Sequence, residues 1–205
     1  IRTPLNGITG MARLLADTPL TNEQRTYVEA VISSGNSLLG LIEDILDFSK
    51  IEAGKIDIEA EQIQLREFCE GIVELMSARA FAKNIGIGLH IEAQVPAMIE
   101  ADPMRLRQAL LNLLGNAVKF TDAGGVSLCV THQEGFLAFT LSDTGPGIAP
   151  EEQERIFGEF VQTEAGATRR HGGAGLGLAI TKRIADAMGG EVAVESRLGH
   201  GSAFV

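Results

Sequence analysis

The sequence predicts an α+β fold: a helical hairpin followed by a two-layer α/β sandwich with a mixed sheet. Three observations carry this. Apolar residues recur at helical spacing through residues 1–53. After Gly54-Lys55 the pattern changes to short alternating segments. Longer helical patterns are then interleaved with those segments, so helices are expected to cover one face of the sheet. At 205 residues and 45% hydrophobic content, the chain can bury a proper core.

Taken in order, Ile1, Leu5, Ile8, Ala12 and Leu15 mark the apolar stripe of a first helix, which Asp17-Thr-Pro19 breaks. Thr21-x-x-Gln24 forms a capping box for the second helix. Val28, Ile32, Gly35, Leu39, Ile42, Leu46 and Ser49 then step by alternating fours and threes, flanked by Val31, Leu38 and Ile45. A lone hairpin leaves such a wide stripe poorly covered, whereas two copies packed as a four-helix bundle cover it, so a homodimer through 1–53 is expected. The domain boundary is placed at 53/54, with 54–205 as the second domain. Strands are expected at 56–58, 85–91, 126–131, 137–141, 191–195 and 202–205, with helices at 65–82, 103–120 and 176–188.

Composition excludes several classes. A net charge of −10 argues against a nucleic-acid partner, which would leave a basic stripe. No apolar run approaches the roughly 18 residues of a membrane span, so no membrane contact is expected from this segment. The segment reads as cytoplasmic in character, with a membrane-anchored parent left open. Cys69 and Cys129 stand in apolar contexts without ligand spacing and read as buried thiols. His90, His132, His171 and His200 are scattered and suggest no metal cluster.

The helix at 103–120 is the most informative element. At about 100° per residue, Arg105, Gln108, Asn112, Asn116 and Lys119 fall within an arc of roughly 80°, with the Leu, Ala, Val and Phe positions expected on the opposite side. Asparagine is a mediocre helix former, and a solvated face would carry Glu and Lys instead. Two Asn one turn apart with a Lys beyond them suit a phosphate-bound Mg²⁺, the amides as neutral oxygen ligands and the ammonium as a point charge. The alternative is a buried helix whose amides cap neighbouring loops.

Two glycine turns follow. In Asp143-Thr-Gly145-Pro-Gly147, a carboxylate sits at the lip of a tight turn, where it can accept a hydrogen bond from an amine; an Asx turn alone is the plainer reading. In Gly173-Ala-Gly175-Leu-Gly177, glycines precede a helix, so bare N–H groups at its start can face phosphate oxygens. A Rossmann reading fails because Thr168-Arg-Arg-His-Gly is polar and not a strand. No G-x-x-x-x-G-K-[ST] is present, and neither are the loop signatures of Ser/Thr protein kinases.

In this order the three signals resemble the ATP-binding domain of sensor histidine kinases: an N box at 112–119, a G1 box at 143–147, an F box at 157–160 and a G2 box at 173–177. With the hairpin in front, the resemblance covers essentially the whole chain. It implies ATP and Mg²⁺ as ligands, with Asn116 on the metal, Lys119 on a phosphate and Asn112 as a second polar contact. Asp143 corresponds to the aspartate that reads the adenine N6 amine. The site implied by the resemblance also includes Phe120, Gly145, Gly147, Ile148, Gly173, Gly175, Leu176, Gly177, Leu178 and Ser202. Residues 161–172 read as a lid over bound nucleotide, from which Arg169 and Arg170 can reach the phosphates, while Phe157 and Phe160 are expected to pack and anchor it. Ala174 departs from the family pattern, standing where a hydroxyl residue is frequent.

In related ATPases that hydrolyse ATP, a glutamate one turn before the metal-binding asparagine activates water. Asn112 cannot serve as that base. The resemblance therefore implies transfer of the γ-phosphoryl group to a histidine. The opening Ile1-Arg-Thr3-Pro4-Leu-Asn-Gly7 is similar to the end of the H box, which places that histidine just before Ile1. Thr3 matches a position associated with orienting water for dephosphorylation of the partner, a response-regulator receiver domain. The competing functions are an ATP-binding pseudokinase or adaptor with another residue at the acceptor site, and a hydrolytic ATPase of the same superfamily.

Overall fold

The computed structural model describes residues 2–52, 58–133, 135–161 and 175–205. These form two compact units, a pair of helices and an α+β sandwich.

The helical unit consists of α1 (Arg2–Ala16) and α2 (Asn22–Glu52). The capping box forms in both directions: Gln24 N donates to Thr21 Oγ1 at 3.2 Å, and Thr21 N to Gln24 Oε1 at 2.9 Å. On α1 only Leu5, Thr9 and Ala12 are buried. They meet α2 where Gly35 replaces a side chain, since a Cβ there would collide with the Thr9 methyl. The rest of the expected stripe stays open. Ile8, Met11 and Leu15 are 55%, 67% and 52% exposed, and they line an apolar groove of about 580 Å³ with Tyr27, Val28 and Val31.

The sandwich opens with β1 (Glu61–Gln64), α3 (Leu65–Ala82), β2 (Gly86–Ile91), β3 (Met98–Ala101) and α4 (Pro103–Phe120). It continues through β4 (Gly125–Gln133), β5 (Phe136–Asp143), a short α5 (Pro150–Gln153), a 3-10 turn (Arg155–Phe157), α6 (Gly177–Ala187), β6 (Val194–Arg197) and β7 (Gly201–Phe204). Five strands form one sheet in the order β2-β4-β5-β7-β6, and β1 and β3 pair as a small antiparallel ribbon. The β2–β4 pair is parallel and the other pairs are antiparallel, so the sheet is mixed, as expected. Period-two alternation sends Val126, Leu128 and Val130 inward from β4, with Leu141 of β5 directly across from Leu128. Helical spacing presents Phe68, Ile72 and Met76 of α3 and Leu106, Leu110, Leu113 and Leu114 of α4 to the same core.

α3 and α4 fall at their expected bounds. The start of α4 is fixed by Asp102, whose Oδ1 accepts from Met104 N at 2.9 Å and Arg105 N at 3.0 Å, with Pro103 in the first turn. Burial alone would push the Asp102 carboxyl up, but the backbone donors of Arg105, Glu59 and Met104 hold it below the usual carboxylate range. Cys69 is a free thiol, fully buried and pushed up to about 11 by desolvation, as its apolar context implies.

Several strand positions differ from expectation. Of the strand expected at 56–58, residues 56 and 57 lie outside the described residues, and Ile58 is irregular. The first strand begins at Glu61, where only Ile63 turns inward and leaves no alternation to detect. The strand expected at 191–195 is Val194–Arg197, although its pairing starts at Ala193, whose N–H and C=O both bond to Val205. β1, β3, α5 and the 3-10 turn were not anticipated; each spans four residues or fewer, too few for a periodic signal.

Candidate functional site

The site is organised by the face of α4 opposite the core. Gln108, Asn112, Asn116 and Lys119 are half-buried along it, so the amide face is neither core nor open surface. Arg105 Nη1 donates to Gln108 Oε1 at 3.1 Å. Asn112 Nδ2 donates to Gly177 O at 3.3 Å, which ties the middle of α4 to the first residue of α6. Buried Thr181 donates to the same carbonyl at 2.9 Å. The first N–H groups of α6 have no intrahelical acceptors, and no side chain caps this end. Just before it, Gly175 adopts φ +69°, and a Cβ there would come within 2.7 Å of Val161 O. Glycine thus lets the backbones at 161 and 175 touch.

The end of α4 leads into the first glycine turn. Thr121 N donates to Ala117 O at 3.1 Å, and the next two carbonyls, Val118 O and Lys119 O, accept from Lys83 Nζ at 2.9 and 2.7 Å. The same ammonium lies 3.4 Å from the Asp122 carboxylate. Lys119 itself is partly desolvated, which holds its ammonium below the usual lysine range, and it lies 4.8 Å over the Phe120 ring. Asp143 ends β5, and its Oδ1 accepts from Gly145 N at 2.7 Å. Burial raises this carboxyl above its ordinary value, only partly opposed by backbone donors from Gly145 and Ser202. The Asx turn therefore exists, and it holds a half-buried carboxylate.

Close backbone approach explains the glycines around Asp143. Gly147 has φ +71°, and a Cβ there would strike Arg197 O; Gly201 has φ +93°, and its Cβ would strike Asp143 O. Ile148 N donates to Ser196 Oγ at 2.8 Å, and Ser196 Oγ is 3.0 Å from Ser202 Oγ, which links the turn to β6 and β7.

The sandwich thus carries Asn112, Asn116, Lys119 and Phe120 on α4, Asp143, Gly145, Gly147 and Ile148 at the end of β5, Gly175, Leu176, Gly177 and Leu178 at the start of α6, and Ser202 on β7. Leu176 and Leu178 are core-side residues, Leu176 being fully buried. Arg169, Arg170, Gly173 and Ala174, with nearly all of the expected lid, lie outside the described residues. Thr3 is exposed on α1, in the helical unit. Phe157 packs as expected, edge-on to Phe204 at 6.4 Å. Phe160 does not: it is 63% exposed with φ +58°, because the chain turns sharply there. Sequence reasoning missed Lys83, Thr121, Ser196 and Gly201. Among the described residues no group of three or more His, Cys, Asp or Glu could hold a metal, and no helix is long and apolar enough to cross a membrane.

Residues 101–205 match the profile described as "Histidine kinase-, DNA gyrase B-, and HSP90-like ATPase", and the chain belongs to this family. Residues 1–54 match the "His Kinase A (phospho-acceptor) domain". Together the two matches make the chain the catalytic core of a sensor histidine kinase. It is 40% identical over its full length to the signal transduction histidine-protein kinase BarA of Escherichia coli (strain K12) and 43% identical to hybrid signal transduction histidine kinase L of Dictyostelium discoideum. It spans 23% and 12% of those relatives' lengths. Among solved structures, full-length ShkA in complex with AMPPNP is similar over 99% of this chain and 42% of its own, with a TM-score of 0.83 and 48% identity.

Proposed function

We propose that the sandwich binds Mg-ATP and that the parent protein is a protein-histidine kinase. The observation that carries this is that three kinds of group lie along α4: the Asn112 and Asn116 amides on the helix itself, the bare helix start at Gly177 held by Asn112, and the Asp143 turn against the helix's C-terminal end. Each suits a different part of one ligand. Asp143 accepts from the adenine amine, the α6 N-terminus and Lys119 face phosphate oxygens, and Asn116 offers a neutral oxygen to the metal. The donor set fits Mg²⁺, which keeps several waters and takes few protein ligands. When bound, Mg²⁺ supplies charge neutralisation to the phosphates.

In the reaction, the imidazole nitrogen of a histidine just before the Ile1 position attacks the γ-phosphorus, an N–P bond forms, the bond to the β–γ bridging oxygen breaks, and ADP leaves. Catalysis of this kind is mainly positioning and electrostatic stabilisation. Lys119 and the α6 N–H groups provide fixed positive charge, and Asn112 orients without acting as a base. The phosphoryl group then passes to an aspartate of a response-regulator receiver domain, with Thr3 orienting water in a separate, hydrolytic step that releases the aspartyl phosphate as inorganic phosphate. The open groove of the helical unit supports a homodimer. We place the segment on the cytoplasmic side.

Calorimetric titration tests the site directly. Asn116→Ala and Asp143→Ala should each lose about 1.5–3 kcal/mol of Mg-ATP binding, the worth of a charge-assisted contact. Wild-type affinity in both would overturn the assignment. Labelling a longer stretch of the parent with γ-labelled ATP should give acid-labile, base-stable phosphate.

A further inference from the structure

One buried group in the sandwich has no structural employment. Thr121 is 0% exposed, and its Oγ1 has no hydrogen-bond partner among the described residues. Its backbone already caps α4, donating to Ala117 O at 3.1 Å, so the hydroxyl is not needed for that. An orphaned buried hydroxyl is costly, and valine would fill the same space without that cost.

The orphan faces a particular place. Around Gly145, an added Cβ would lie 2.8 Å from Asp143 Oδ1, 3.2 Å from Phe120 O and 3.4 Å from Thr121 Oγ1. The absent side chain therefore leaves a notch against which three oxygens converge. Two of them, a carboxylate and a carbonyl, only accept; the hydroxyl alone can also donate. In the described state Asp143 Oδ1 is engaged by Gly145 N at 2.7 Å. A carboxylate has about four acceptor sites, so Asp143 can take a ligand amine and the Thr121 hydroxyl beside Gly145 N.

We propose that Thr121 is a positioning residue for Asp143, its hydroxyl forming its hydrogen bond at the Gly145 notch only when a base bearing an exocyclic amine engages the carboxylate. This rests on the nucleotide reading above and extends it to a residue outside the boxes. The cost of the orphaned hydroxyl is carried by the free protein and released in the complex, which makes the effects on stability and on binding opposite in sign.

The test is Thr121→Val, which keeps shape and branching, beside Thr121→Ser, which keeps the hydroxyl. Without nucleotide, the Val variant should melt higher than wild type by about 2–4 °C. Titrated with Mg-ATP in a calorimeter, it should bind about five- to ten-fold more weakly, as expected for one lost hydrogen bond. Thr121→Ser should bind Mg-ATP like wild type. A lower melting temperature for Thr121→Val overturns the inference, because the hydroxyl would then have a partner in the free protein. Unchanged Mg-ATP affinity overturns it as well, while wild-type binding leaves the nucleotide reading standing. Wild-type protein that binds no Mg-ATP defeats both.

Discussion

The helical hairpin and the sandwich dispose of their apolar side chains in opposite ways. In the sandwich, Leu114, Leu128, Val130 and Ile180 are fully buried, and the sheet, α3 and α4 close around one core. In the hairpin, Leu5, Thr9 and Ala12 are the buried side chains of α1, while Ile8, Met11, Leu14 and Leu15 each stay more than half exposed. Two helices can hide only the stripe they turn to each other, so the second stripe must be covered by something else. The contrast separates a unit that buries its own apolar surface from one that leaves an apolar stripe open.

Three experiments bear on that contrast. The largest effect is expected from Leu128→Ala, which should cost about 2–5 kcal/mol of unfolding free energy in denaturant titration. A loss well below 1 kcal/mol would mean that the sandwich core is looser than its burial implies. Next, Val31→Glu places a charge on the open stripe of α2. It should weaken self-association more than tenfold by sedimentation equilibrium and leave the sandwich's melting unchanged; an unaltered dimer would move the interface elsewhere. The smallest effect concerns the start of α4. The folded carboxyl of Asp102 lies below its unfolded value of about 3.9. Its charge therefore contributes stability in full above that value, and the contribution is lost as pH falls through the depressed folded value. Asp102→Asn keeps one capping oxygen but loses the charge and the second oxygen that accepts from Glu59 N, so it should lower stability at neutral pH and flatten the acid limb of stability against pH. An equally steep acid limb would assign the acid sensitivity to other carboxylates.

How much was legible in the sequence followed from whether a feature is local. α4 was readable because its signals lie within it: a long apolar periodicity and an amide face too unusual for a solvated surface. The capping box at Thr21 and Gln24 was readable for the same reason. β1 and β3 were not, since each spans four residues and turns only Ile63, or Ile99 and Ala101, toward the core. Lys83 was invisible because the carbonyls it holds are 35 and 36 residues away. Gly201 looked like any turn glycine until the β5–β7 pairing put it against the Asp143 carbonyl. Thr121 carries no local signal; only burial without a partner distinguishes it, and burial is a tertiary property.

The Lys83 bridge has a mechanical consequence. By holding two peptide oxygens of the last turn of α4 and reaching Asp122, it makes that turn and the corner after α3 one rigid piece. Leverage applied there cannot be absorbed within the clamp. It passes on to a corner that is held as well, since the Gly124 carbonyl accepts from Gly86 N at 2.9 Å and a Cβ on Gly124, at φ +93°, would strike Thr144 Oγ1.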